Sequence, residues 1–230
     1  MLLIRRRPAA PLLVGIPLLA VAASLALVIR VDPADPPFQG LDDWWAGVAD
    51  GSRASAWWWP AEFFNLLGSP IGLIVPIALA GFVFWYGRWR TAVFMGVCYI
   101  AVQAVNSGLK AFADRPRPED GLVAVHGASF PSGHSARMAV LVFVIGMFLV
   151  PLARRRRWWA IGAVLAAAMM WARTWQHAHW LTDVAGGACV GLGVALLLWF
   201  ALSPWVLRDE APSGRHSRPD DTMRIPRITA

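Results

Sequence analysis

Six stretches of nearly unbroken apolar residues, at about 10–29, 69–87, 91–113, 136–153, 158–173 and 183–203, alternate with short polar segments. A helix crossing the hydrocarbon core needs about 20 such residues, and five of the runs meet that length directly. The run at 158–173 does so if its helix continues to about Gln176, which sets Arg173 one turn below the end. The pattern predicts an all-α, polytopic membrane protein with six transmembrane helices bundled over residues 1–203. The first run follows Arg5, Arg6 and Arg7 and exceeds the roughly 7–15 apolar residues of a signal-peptide core. It reads as a retained anchor. Residues 30–68 form a tryptophan-rich outer loop in which short helices on the outer surface are expected, or alternatively a lid. Residues 204–230, rich in Pro, Ser, Arg and Asp, read as a disordered cytoplasmic tail.

Charge sorting orients the bundle. One side gathers Arg5, Arg6, Arg7, Arg88, Arg90, Arg154 to Arg157 and five tail arginines, which together are 14 of the 21 basic residues. The ten acidic residues before the tail fall on the other side or its rim. Basic residues mark the cytoplasmic face, so both termini are expected inside, with outer loops near 30–68, 114–131 and 174–182. This sorting also decides what the net charge of +7 means. Spread as topology signals, the arginines leave no nucleic-acid surface. Only 15% of residues are charged, against about 25% in soluble domains. Cys98 and Cys189 lie in apolar runs with no second ligand nearby and read as packing residues. Trp44, Trp45, Trp57, Trp58, Trp59, Trp158 and Trp159 fall near span ends, where indoles favour the headgroup level.

Against this sorting, Lys110, Arg115, Arg117, Arg137 and Arg173 gather around three outer segments. Ionisable groups in or beside spans are costly and mark function by default. In "KAFADRPRP" the prolines end the third span near Asp114 and leave Lys110 within snorkelling reach of the interface. Arg115 and Arg117 follow on a stiffened strip suited to a polyanion. In "FPSGHSARM" Pro131 suits a first helical turn, with Ser129 or Ser132 as its cap. The free N–H groups there make an anion site, Gly133 allows close approach, and His134 can donate a proton. In "RTWQHAHWLTD" His179 and Asp183 are four residues apart and share a face if that segment is helical. Asp183 can therefore orient His179 and stabilise its charge. His177, six residues from Asp183, is the rival histidine on a different face.

These segments resemble the three motifs of the type 2 phosphatidic acid phosphatase superfamily: Lys-x6-Arg-Pro, Pro-Ser-Gly-His and Ser-Arg-x5-His-x3-Asp. Here they stand as Lys110 with Arg117–Pro118, as Pro131–Ser132–Gly133–His134, and as Arg173, His179 and Asp183. Ala172 replaces the usual serine, and Trp180–Leu181 departs from the usual aromatic followed by proline. The resemblance covers roughly residues 69–203. It implies that His179 attacks phosphorus, Asp183 holds the imidazole and His134 protonates the leaving group. Lys110, Arg117, Ser132, Gly133 and Arg173 then hold the phosphate oxygens, with Arg115 and Arg137 as candidates for a second phosphate. No metal or cofactor is called for. The substrate implied is a lipid phosphate or diphosphate, best a polyprenyl diphosphate, handled at the extracytoplasmic face of a bacterial inner membrane. Phosphatidylglycerol phosphate and phosphatidate are competing substrates. A lipid phosphotransferase shares the motifs, as does a vanadium-dependent haloperoxidase, whose solubility argues against it. A non-enzymatic anion binder or transporter would have no need of the His179–Asp183 pair.

Overall fold

The computed structural model describes residues 9–209, so Arg5 to Arg7 and tail residues 210–230 lie outside the described residues. Eight helices follow one another: α1 (Ala10–Val31), α2 (Gln39–Val48), α3 (Trp58–Gly68), α4 (Ile74–Trp85), α5 (Trp89–Ala113), α6 (Gly133–Phe148), α7 (Arg155–Trp175) and α8 (Leu181–Val206). Among the described residues there is no strand. Six of the helices coincide with the six apolar runs. The remaining two, α2 and α3, are short helices within residues 30–68, the segment expected to form an outer loop.

By length and composition, three helices suffice to cross a membrane: α1, α5, and α8 with its 3-10 extension to Asp209. A fourth arises if α3 and the Ile71–Trp85 segment count as one span bent by 65°. The bend falls at Ser69–Pro70, where proline removes a backbone donor. α6 has 16 residues, about 24 Å at 1.5 Å per residue. α7 has 21 residues and continues through Trp175, with Gln176 as its C-cap. One boundary needs correction. The tail was expected from residue 204, but α8 runs through Pro204 to Val206, and Leu207–Asp209 form a 3-10 turn. Asp209 anchors that turn by accepting hydrogen bonds from the Thr91 N–H (2.8 Å) and Arg90 Nη1 (3.2 Å).

The core lies where α5, α6 and α8 meet, around Phe94, Cys98, Val102, Val140, Phe143, Val144, Val190 and Val194. Without a hydrophobic drive between helices in lipid, close packing depends on small residues. α8 supplies them. A Cβ on Gly187 would sit 2.2 Å from the Ser132 carbonyl oxygen, and one on Gly191 2.2 Å from that of Ala136. These glycines, one turn apart, seat the first turns of α6 directly on α8. The same packing brings the "PSGH" segment beside the start of α8, and the Ser132 N–H donates to the Asp183 carbonyl at 2.9 Å.

Candidate active site

All three polar segments converge at one end of the bundle. α5 stops at Asp114, whose left-handed conformation (φ 48°) releases the chain into the 115–131 loop. α7 ends in a Schellman turn: His177 is left-handed (φ 50°), the Ala178 N–H reaches the Arg173 carbonyl at 3.1 Å, and the His177 N–H reaches that of Thr174 at 2.9 Å. The turn delivers His179 to the site four residues before Asp183, which lies in the first turn of α8. His177 points elsewhere. Its Nδ1 lies 2.7 Å from an Asp120 carboxylate oxygen, and that contact holds the Asp120 carboxyl below the usual carboxylate range.

His179 is buried, with 4% of its surface exposed. Its Nδ1 faces Asp183 Oδ2 at 3.6 Å, and its Nε2 lies 3.4 Å from Arg117 Nη1. The first distance is an ion-pair contact longer than a hydrogen bond, and Nδ1 has no hydrogen-bond partner. Asp183 Oδ2 instead accepts from the Trp180 N–H at 2.9 Å. Burial, followed by the charges of Arg173, Arg117 and Lys110, holds the His179 imidazole well below its ordinary pKa. The ring is therefore neutral at physiological pH, the form that carries a nucleophilic lone pair.

Each cation is fixed by carbonyls or amides, and Lys110 and Arg173 keep donors to spare. Lys110 Nζ donates to Ala128 O (2.6 Å) and Ser129 O (3.1 Å). Arg117 ties loop 126–128 to the His179 loop through Gly127 O, His126 O, Ala128 O and Ala178 O. Burial is the main influence lowering the pKa of its guanidinium, yet an arginine stays charged. Arg173 is fully buried. Its Nη1 donates to Asn65 Oδ1 and Gln176 Oε1, while Nε and Nη2 have no partner. Ser132 is the N-cap of α6 without a side-chain cap bond, and its buried Oγ is likewise unpartnered. Pro131 therefore precedes the cap instead of occupying the first helical turn. Unpaired buried donors are costly; gathered around one histidine, with the first N–H groups of α6, they form a cradle for an anion.

The 30–68 segment, through α2 and α3, reaches into this site. From α3, Asn65 accepts from Arg173 through its side chain, and its carbonyl lies 3.1 Å from His134 Nε2. Glu62 in turn accepts from Asn65 Nδ2 at 3.1 Å. Gly68 allows the approach, because a Cβ there would stand 2.2 Å from the His134 ring. Ala172, where the motif has serine, packs in an apolar cluster with Ala61 of α3 and Trp175. From α2, the fully buried Asp42 accepts from Arg115 Nη2 (2.7 Å), the Thr182 N–H (2.8 Å) and Thr182 Oγ1 (2.7 Å). Arg115 Nη1 also donates to Asp183 Oδ1 at 2.9 Å. This corrects the expectation for Arg115. With two carboxylates and Gln39 Oε1 on its guanidinium, it is a buried strut behind Asp183. The nearest sequence signal for this was the pair Asp42–Asp43, in a segment that also carries Asp32, Asp35, Asp50, Arg53 and Glu62.

Comparison with known proteins identifies the family and the fold. The chain is 32% identical over 133 residues to phosphatidylglycerophosphatase B of Bacillus subtilis, a match taking in 55% of this chain and 66%, just under two thirds, of that relative. It is 26% identical over 162 residues to the bacitracin transport permease protein BcrC of Bacillus licheniformis, covering 60% of this chain and 77% of the other. In fold it resembles the crystal structure of a transmembrane PAP2-type phosphatidylglycerolphosphate phosphatase from Bacillus subtilis, with a TM-score of 0.65 at 23% identity, over 83% of this chain and 94% of that one. A family model described as the PAP2 superfamily matches residues 91–206, which hold all three motifs. The chain belongs to the PAP2 superfamily.

Proposed function

We propose that this protein is an integral membrane lipid phosphatase of the phosphoric monoester hydrolase type, acting through a phosphohistidine at His179. The observation that carries this reading is one neutral, buried imidazole set between Asp183 and a ring of cations and unpartnered donors. His179 Nε2 attacks phosphorus, the P–O bond to the leaving group breaks, and the electron pair stays on the leaving oxygen. Asp183 stabilises the imidazole as it acquires charge, its role in orienting a nucleophile. His134 protonates the leaving oxygen once its ring turns from the Asn65 carbonyl. It then takes a proton from the water that hydrolyses the phosphohistidine. Lys110, Arg117, Arg173, Ser132 Oγ and the Gly133 N–H hold the equatorial oxygens, where most of the catalysis of phosphoryl transfer resides.

The preferred substrate is a polyprenyl diphosphate cleaved to the monophosphate at the extracytoplasmic face of a bacterial inner membrane. Six spans with both termini inside agree with the sorting of arginines. Phosphatidylglycerol phosphate is the second reading, favoured by the name of the 32%-identical relative. Phosphate release by the detergent-purified protein in excess EDTA tests both, with the two lipids and phosphatidate compared side by side. His179→Ala should abolish release while the protein remains folded. Full activity in that variant removes the proposed nucleophile.

A further inference from the structure

Arg137 is a cation in α6 without a counter-ion among the described residues. It lies four residues below Gly133, about 6 Å along the axis at 1.5 Å per residue. Helical side chains lean toward the N-terminus, and this one does. Its Nη2 stands 3.6 Å from where a Cβ on Gly133 would be, beside Asn106 Nδ2 at 3.5 Å. Among the described residues its one hydrogen bond is from Nη1 to Gln103 Oε1 at 3.3 Å, and Nε is buried without a partner. No carboxylate among the described residues lies within ion-pair reach of it, whereas Arg115 has two and Arg90 has one. At the same helix end the fully buried Ser132 keeps its Oγ unpartnered, and Asn106 Nδ2, 3.4 Å from the Pro131 carbonyl it donates to, has a second N–H to give.

The neighbours on either side indicate what fits. Arg137 is near enough to His134, Arg173 and Lys110 for its charge to act on all three. On its other side lies a groove of about 420 Å³ along α5, lined by Tyr99, Ile100, Gln103, Ala104 and Ser107 and by Leu73 of the turn before α4. An apolar chain in this groove brings its attached anion to Arg137 before it reaches His179.

We propose that Arg137, with Asn106 Nδ2 and the N-terminus of α6, forms a second phosphate subsite that holds the chain-linked phosphate of a lipid diphosphate. This rests on the phosphatase reading and narrows its substrate class. The terminal phosphorus is transferred to His179 Nε2. The bond from that phosphorus to the bridging oxygen breaks, and the electron pair stays on the departing lipid monophosphate. The guanidinium meets this charge as it develops. A lipid monophosphate releases an alkoxide instead, discharged by the proton from His134, and leaves the subsite idle.

Farnesyl diphosphate and farnesyl monophosphate share one chain and separate the two cases. In the full-length protein, Arg137→Gln should lower kcat/KM for the diphosphate by about 30-fold or more and change that for the monophosphate by less than about threefold. Inhibition by methylenediphosphonate should weaken in parallel, while inhibition by inorganic phosphate should not. Arg137→Lys should recover part of the loss, since it keeps the charge without the two-pronged geometry. If Arg137→Gln does not fold, Gln103→Leu, which frees the guanidinium from its one partner, should shift the diphosphate KM selectively. An unchanged ratio between the two substrates, or an equal loss on both, overturns the subsite. Wild-type protein that hydrolyses neither compound overturns the phosphatase reading instead.

Discussion

Asp42 offers the sharpest test of how the outer loop supports the site. Its carboxylate, fully buried, accepts from Arg115 and from both donors of Thr182 at 2.7–2.8 Å. Asp42→Ala takes one of two carboxylates from the buried Arg115 guanidinium and leaves the Thr182 N–H without its acceptor. Breaking a buried pair by removing one partner costs about 3–5 kcal/mol, whereas an exposed pair is worth about 0.2–1 kcal/mol. For a chain of this length, 1 kcal/mol moves the melting temperature by about 2–4 °C, so a fall of roughly 6–20 °C is expected. Activity should fall too, because Arg115, released from Asp42, pulls harder on Asp183 Oδ1 and draws that carboxylate from His179. The double variant Asp42→Leu/Arg115→Met separates the two effects. Apolar replacement of a buried pair is often neutral or stabilising, but here it also takes the counter-ion from the buried Asp183, so the melting temperature should recover only part of the loss while kcat stays low. Thermal unfolding in detergent and phosphate release on the same samples read both. A shift under about 3 °C in Asp42→Ala would refute the buried-strut account, and full kcat in the double variant would refute the positioning role.

Two further expectations follow from the site and its packing. His179 is held below its ordinary pKa by burial and three cations, so its neutral form should persist well below pH 6.5, and stability from keeping it unprotonated should be lost as pH falls through that window. Removing one charge in Arg117→Gln should slow turnover and raise the acid limb of the kcat/KM profile, and an unmoved limb would show that His179 does not set it. Gly187→Ala adds a methyl 2.2 Å from the Ser132 carbonyl. Alanine favours a helix by about 1 kcal/mol over glycine, but the overpacking costs about 1–3 kcal/mol and pushes α6 from α8. Lower activity is expected, where the same change at Gly96, with open space around it, should be silent.

What the sequence determined by itself was periodic or adjacent along the chain. The apolar runs gave the helices, because burying a helix in lipid requires about 20 apolar residues in a row. Proline at 116 and 118 marked the end of α5, because the residue before proline resists the helical region. The four-residue spacing placed His179 beside Asp183, although His179 stands in the turn before α8 and not on a shared helix face, and the motif arginines and Lys110 stood out as cations on the side where positive charge is scarce. Only the tertiary structure decided which of the remaining cations belong to the site. Arg115 and Arg137 are alike in sequence, each an arginine beside a motif. Folding gives one of them Asp42, 73 residues away, and leaves the other facing Gly133. Asn65 and Gly68 carried no local signal either. Their importance comes from the 65° bend that lays α3 over His134 and Arg173. Long-range partners of this kind are set by which helices pack together, a property of the whole bundle that no short window of the chain contains.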